Sequence, residues 1–302
     1  MSSDRSLWGR GAVVVGGSRG IGFAVAALLA KQGAGVVING RDEAAVTRAV
    51  QAITLSGNRA VGVAGSAADA AIAKRAVDVC VDKFGAIDIL VNCAGIAEPP
   101  ASSILDVSPW EWRALLDSHL TTVFNSCRAA APKMVENGRG SIINTSSFAY
   151  LGDYGGTGYA AGKGAVTSLT LAIAAELKEH GVRANVICPG AKTRLSSGLT
   201  YEARILELYR RKLLDETMMR SSLDAPPAEY VAPLYGFLAG DLADDITGEI
   251  YIAAGGFVGR FERATPTLVG YRDHRDAPPW TAAELRQLIT DARRDRRMTA
   301  TG

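Results

Sequence analysis

The sequence predicts an α/β fold built on a doubly wound, seven-stranded parallel sheet with helices on both faces, followed by a C-terminal extension. Three observations carry that expectation. Short β-branched runs alternate with longer amphipathic stretches, most of those runs are apolar throughout, as strands covered on both faces are, and a glycine-rich turn follows the first of them.

In chain order, the strand Ala12–Val15 precedes a helix over 20–32, Gly35–Ile38 a helix over 42–56, and Ala60–Val63 a helix over 69–84. Ile87–Val91, Ser141–Thr145 and Asn185–Cys188 are followed by helices over 108–137, 159–180 and 226–239, and Glu249–Ile252 closes the sheet. The start of the 108–137 helix is the best marked: Ser108-Pro109-Trp110-Glu111 offers an N-cap, a proline at the first helical position and a carboxylate for a capping box. Residues 194–225 interrupt the rhythm, mix charges with Met218 and Met219, and form a candidate lid. Past Gly256 a loop with little apolar periodicity leads to Thr281 and Glu284, a second capping box that opens a short terminal helix. The expected division is a catalytic domain over 1–258, lid included, and an extension over 259–302.

Composition narrows the partner. The 302 residues are 48% hydrophobic, enough to bury a full core, and 33 Lys+Arg against 31 Asp+Glu leave a formal charge of +2. So even a balance predicts no general attraction to nucleic acid or acidic lipid, and a small molecule is the expected partner. Cys80, Cys93, Cys127 and Cys188 stand singly, without zinc or redox spacing; they read as packing thiols, and no metal site is expected. The N-terminus lacks an apolar signal core and no run approaches the roughly 20 apolar residues of a membrane span, which predicts a soluble, cytoplasmic protein.

The turn "AVVVGGSRGIG" contains two overlapping spellings. Gly16-Gly17-Ser18-Arg19-Gly20 matches the nucleophile elbow of α/β-hydrolases, but such an elbow follows a central strand well into the chain, and Ser18 follows the first. The competing spelling, Gly16, Gly20 and Gly22 between a strand and a helix, suits a dinucleotide pyrophosphate: the glycines permit close approach and the helix N-terminus attracts the anion. Position decides for the dinucleotide.

Four further stretches, "VNCAG" (91–95), "INTSS" (143–147), "YAAGK" (159–163) and "CPGAKT" (188–193), follow the turn in an order and spacing that resembles the short-chain dehydrogenase/reductase family. The resemblance runs from about Gly11 to Gly256. It implies a single Rossmann-type domain, a nicotinamide cofactor and a homo-oligomer, either dimer or tetramer. The pair His119-Leu120, the stretch "PGAKTRL" and the extended tail look most like the (3R)-hydroxyacyl-CoA dehydrogenase and ketoreductase branch.

Tyr159 and Lys163 stand four apart and so share one helix face. A phenol with a pKa near 10 is a poor acid-base group at neutral pH, and an ammonium one turn away favours its phenolate. The resemblance implies that Tyr159 exchanges the proton with a carbonyl oxygen, that Lys163 also holds the nicotinamide ribose, and that a serine orients the carbonyl. Counting from the strand places that serine at Ser147; counting back from Tyr159 places it at Ser146. Strand register slips less easily than loop length, which favours Ser147. The family's helix asparagine corresponds to His119, either a relay through water or a half-buried helix histidine.

The resemblance also implies a cofactor cradle: Gly16, Ser18, Arg19, Gly20, Ile21 and Gly22 at the turn; Asn92, Ala94 and Gly95 after the fourth strand; Tyr159 and Lys163; then Pro189, Gly190 and Thr193. At the end of the second strand, where an NAD enzyme places an acid, this chain has Gly40 followed by Arg41. Arg41 and Arg19 could bracket a 2′-phosphate, so NADP(H) is expected over NAD(H); Asp42 argues the other way unless it caps the next helix. The expected function is an NADP(H)-dependent oxidoreductase acting on a ketone or secondary alcohol: a 3-oxoacyl or 3-hydroxyacyl thioester, a steroid or a secondary-metabolite ketone. The alternative is a cofactor-binding relative without net redox turnover, whether epimerase, dehydratase or scaffold.

Overall fold

The computed structural model describes residues 5–99, 102–154 and 156–299. The chain divides between Phe261 and Glu262 into two compact units.

In the first unit, strands β1 (Gly11–Val15), β2 (Gly35–Gly40), β3 (Ala60–Ala64), β4 (Ile89–Asn92), β5 (Gly140–Thr145), β6 (Val182–Gly190) and β7 (Ile250–Ala254) are parallel, in the order β3-β2-β1-β4-β5-β6-β7. Nine helices of this unit lie among its described residues: α1 (Gly20–Lys31), α2 (Glu43–Leu55), α3 (Ala70–Phe84), α4 (Pro109–Leu116), α5 (Thr122–Glu136), α6 (Thr157–Leu177), α7 (Leu199–Arg210), α8 (Glu216–Leu223) and α9 (Ala232–Ala239).

Side-chain alternation along β1 explains why helices cover both faces. Val14 packs with Val36, Ile38, Leu29 of α1 and Tyr235 and Leu238 of α9. Val13 and Val15 point the other way, to Val77 and Cys80 of α3, Met134 of α5 and Val166 of α6. Each such valine contributes about 1.5–3 kcal/mol by leaving water, so a polar residue anywhere on this strand would be costly. The strand order reverses between β1 and β4, with Val15 opposite Asn92, and the segments leaving their carboxyl ends diverge there into a crevice.

Two expectations need correction. The sheet has an eighth strand, β8 (Phe257–Phe261), antiparallel on the β7 edge, where a loop was expected. Gly255 supplies the positive φ (+58°) that a tight two-residue hairpin requires; five residues including Gly259 and Arg260 show too little alternation to read as a strand. The helix expected over 108–137 is also interrupted. Ser108 and Glu111 form the capping box at its start, but a π turn, Asp117–Thr121, separates α4 from α5, and Thr122 N–H reaches back five residues to Asp117 O. One inserted residue barely alters an apolar period, so the sequence conceals it. The candidate lid over 194–225 contains α7 and α8, whose Ile205 and Leu208 form a small separate core with Leu214.

In the second unit, helix α10 (Ala282–Thr299) is longer than the short helix expected, and its capping box is present: Thr281 N–H donates to Glu284 Oε2 at 2.7 Å, and Glu284 N–H to Thr281 Oγ1 at 3.3 Å. Arg272 stacks 3.8 Å over Trp280 and donates to Glu284 Oε1 at 2.6 Å.

Candidate active site

The crevice between β1 and β4 is lined by backbone that tolerates no side chain. Gly16 has φ +76°, and a Cβ there would come within 2.6 Å of Ala94 N; one at Gly22 would strike the Gly16 carbonyl. Helix α1 therefore begins hard against the turn. Its N-cap, Arg19, offers no capping side chain and its first turn has no acid, so the N-terminal N–H groups of Gly20, Ile21 and Gly22 have no side-chain acceptor from the cap. This donor set and its dipole suit a pyrophosphate, and the crevice thus fits the phosphate end of a dinucleotide. A Cβ at Gly20 would lie 3.5 Å from Thr193 Cγ2, so the segment that follows Pro189 and Gly190 at the end of β6 closes over the same helix end. The Thr193 hydroxyl is paired with Ser196 Oγ at 3.1 Å.

At the adenosine end the expected bracket is only half open. Arg19 forms an ion pair with Asp42, whose Oδ1 also accepts the Ala45 N–H at 3.0 Å as the cap of α2. These bonds hold the Asp42 carboxyl below the usual carboxylate range. Arg41 is exposed beside the pair. A Cβ at Gly40 would lie 2.7 Å from Ser18 Oγ, so Ser18 fills the space of the missing acid. Asn92 does not face the crevice: it is buried, donates to Asn144 Oδ1 at 2.8 Å and accepts from Ser126 at 2.7 Å, tying β4 to β5 and α5.

Tyr159 and Lys163 share one face of α6. Lys163, 4% exposed, donates to the Thr145 carbonyl at 2.8 Å, and its Nζ lies 5.8 Å from the Tyr159 ring centroid. Burial lowers its pKa to about 8. The side chain of Thr145 is itself pinned, to Tyr235 Oη at 2.9 Å and Cys93 Sγ at 3.3 Å. The Tyr159 phenol departs from expectation: its pKa is raised, not lowered. Desolvation dominates, Tyr201, Cys188 and Glu98 add to it, and only the neighbouring Ser147 hydroxyl opposes it.

The two serines separate cleanly. Ser146 is buried, donates to the Lys163 carbonyl at 3.0 Å and accepts from Thr167 at 2.8 Å. Ser147 stands beside the phenol and accepts the Ala149 N–H at 3.2 Å, which begins the turn Phe148–Leu151. Strand counting therefore picks the serine that Tyr159 meets.

His119, within the π turn, is 1% exposed, deeper than a half-buried helix residue. Its ring meets Tyr159 edge-on at 5.0 Å, its Nε2 donates to Ile96 O at 3.2 Å, and a Cβ at Gly95 would lie 2.7 Å from its Cε1. Desolvation, aided by Lys163, pushes its pKa down to about 2, so the ring stays neutral at physiological pH, with its one proton on Nε2 facing Ile96 O. Nδ1 has no partner among the described residues.

Two neighbours of Tyr159 carry no sequence signal. Glu98 lies in an irregular segment after β4, yet its Oε2 accepts the Tyr159 N–H at 2.6 Å; Tyr201 arrives from α7. Neither position belongs to a periodic pattern or motif, so only the fold reveals them.

Comparison with known proteins agrees with this geometry. A family model described as short chain dehydrogenase matches residues 10–200. The short-chain reductase protein NovJ of Streptomyces niveus is 41% identical over 179 residues, covering 59% of this chain and 68% of that one. A 3alpha-hydroxysteroid dehydrogenase of Mediterraneibacter gnavus is 37% identical over 243 residues, 79% of this chain and 93% of that one. Among solved structures, a short chain dehydrogenase from Mycobacterium avium superposes with a TM-score of 0.77 at 32% identity, covering 95% of each chain.

Proposed function

The chain belongs to the short-chain dehydrogenase family of NAD(P)-dependent oxidoreductases, and from that premise we propose that it is an NADP(H)-dependent ketoreductase that interconverts a bulky apolar ketone and its secondary alcohol. The observation that carries the reading is the meeting of Tyr159, Ser147 and Lys163 beside the crevice. The reactions are assigned to residues 1–258, with 194–225 as the lid over the substrate.

When bound, the reduced nicotinamide supplies the hydride that reaches the carbonyl carbon. The Tyr159 phenol gives its proton to the carbonyl oxygen as charge builds there, and the Ser147 hydroxyl donates a hydrogen bond to the same oxygen. Lys163, fixed by the Thr145 carbonyl, holds the ribose and stabilises the phenolate that Tyr159 becomes. The raised phenol pKa suits this direction, because a proton donor must be protonated before it acts. His119 stays out of the proton path and supports the Tyr159 ring.

Phe148, directly after Ser147, meets Tyr154 edge-on (6.4 Å) and Phe261 at a tilt (5.8 Å), and Phe261 meets Tyr150 edge-on at 5.7 Å. That aromatic wall supports an apolar substrate such as a steroid, a secondary-metabolite ketone or the acyl part of a 3-oxoacyl thioester. Arg41 supports NADP(H). Trp110 of α4 and Phe124 of α5, 70% and 51% exposed, support a homo-oligomer, dimer or tetramer. The test is oxidation of NADPH and NADH across a panel of steroid, acyl-thioester and aryl ketones. Turnover with at least one ketone, preferring NADPH, is expected; cofactor binding without turnover on any of them would contradict the reading.

A further inference from the structure

Helix α6 presents Tyr159 and Lys163, yet it starts without a cap of its own: the N-cap is Gly156, at φ +79°, with no side-chain hydrogen bond. An uncapped helix leaves its first N–H groups without acceptors and its first turn free to fray. Here the third of those N–H groups belongs to Tyr159 itself, and it donates to Glu98 Oε2 at 2.6 Å. The other carboxylate oxygen accepts the Ser102 hydroxyl at 2.6 Å, so both oxygens are engaged. Glu98, 61 residues before Tyr159 in sequence, comes from the segment after β4 that also holds Gly95 and Ile96 against His119.

Gly156 makes the approach possible. A Cβ there would lie 3.0 Å from Glu98 Oε2 and 2.7 Å from a terminal nitrogen of Arg204, on lid helix α7. The cap position has given up its own side chain, and a carboxylate from another loop takes the space.

We propose that Glu98 is the positioning residue of α6: its carboxylate caps the helix in trans through the Tyr159 N–H, fixing the height of the tyrosine and placing a negative charge at the start of the helix that carries its phenol. This rests on the reading of Tyr159 as proton donor. Cap and charge act together. The carboxylate complements the helix dipole and orders the first turn, and its charge adds to the burial that already disfavours the phenolate. The other groups that face the phenol are Tyr201 of α7, Cys188 of β6, Ser147, the neutral ring of His119 and, one turn along α6, Lys163. Lys163 Nζ lies 5.8 Å from the ring centroid and also donates to Thr145 O, and a terminal nitrogen of Arg204 reaches the same space over Gly156 as Glu98 Oε2, so a cation stands near that carboxylate.

The test uses the full chain with Glu98→Gln and Glu98→Ala. Glutamine keeps a carbonyl acceptor for the Tyr159 N–H and removes the charge, with an NH2 group taking the place of the oxygen that accepts the Ser102 hydroxyl, which can turn to accept from it. The alkaline limb of the reduction rate, which reports loss of the donor proton, is expected to move down by about half a pH unit or more in Glu98→Gln. An ultraviolet phenolate titration of the cofactor-free protein, taken as a difference from Tyr159→Phe, should move down equally. Alanine removes cap and charge, and kcat should fall about tenfold or more, with less than about a threefold change in cofactor Kd. An unmoved limb and titration in Glu98→Gln would overturn the proposal, as would an Ala variant with wild-type kcat. If Tyr159→Phe itself kept wild-type activity, the reading of the site would fail instead. Should Glu98→Ala not fold, the glutamine titration alone decides.

Discussion

Arg19, on the glycine turn after β1, is ion-paired with Asp42, the residue that caps α2. A cation placed for a 2′-phosphate is therefore already in contact with an acid, while Arg41 alongside is exposed. An anion bound there must share Arg19 with Asp42 or take it over. Both partners are close to half exposed, so the pair itself is worth little, on the order of 1 kcal/mol or less, and a doubly charged phosphate can compete for it.

Asp42→Asn should accordingly tighten NADPH about threefold and leave NADH nearly unchanged, since asparagine still caps α2 but no longer holds Arg19 electrostatically. Arg41→Ala should weaken NADPH about tenfold, with a smaller slope of Kd against salt. Fluorescence titration of both cofactors measures each effect. Equal changes for NADPH and NADH would remove the arginines from 2′-phosphate recognition.

Ser147→Ala and Ser146→Ala should fail differently. Loss of the Ser147 hydroxyl removes a donor to the developing charge, and kcat should drop about 10²-fold with the melting temperature nearly unmoved. Loss of Ser146 takes a buried hydroxyl from between Lys163 O and Thr167, and should cost about 1–3 kcal/mol in denaturant unfolding. The reverse pattern would exchange their roles.

His119 makes stability depend on acid. Its folded pKa, about 2, lies far below the ordinary histidine value of 6.5, so the stability tied to its neutral form is present above pH 6.5 and is lost as pH falls from there toward 2. Between pH 7 and pH 5 that loss is about 2 kcal/mol, because the unfolded chain takes up the proton and the folded one does not. Denaturant curves of wild type and His119→Asn at the two pH values should show the wild type losing that much more. Equal losses would mean that the imidazole becomes protonated in the folded protein.

The parts of this fold that were legible in the sequence are those that depend on local apolar content. β1 reads as a strand because Val13, Val14 and Val15 are all buried, and the glycine turn reads as a cradle because Gly16 and Gly22 each touch backbone that excludes a Cβ. Ser146 and Ser147, alike in sequence, differ in surroundings: Ser146 is enclosed by Lys163 O and Thr167, and Ser147 stands beside Tyr159. What escaped depends on long-range approach. The π turn adds one residue without changing composition, and β8 is a short edge strand with two of its residues exposed by more than half. The Tyr159 phenol looks activated by Lys163 in sequence; in three dimensions its burial dominates and raises its pKa, while the ammonium is held by Thr145. Arg19 looks free until Asp42 is placed beside it.

Proton donation by Tyr159 while a hydride crosses from the nicotinamide to a carbonyl carbon can be followed by isotope transfer. NADPH deuterated at the transferable position of nicotinamide C4 is incubated with a ketone accepted in the panel, and the product alcohol is examined by mass spectrometry and NMR for wild type and Tyr159→Phe. The account requires one deuterium on the carbinol carbon of the wild-type product, none on its oxygen after exchange with water, and a rate at least about 10²-fold lower for the phenylalanine variant. Product without deuterium, or label transferred at an undiminished rate by Tyr159→Phe, would contradict it.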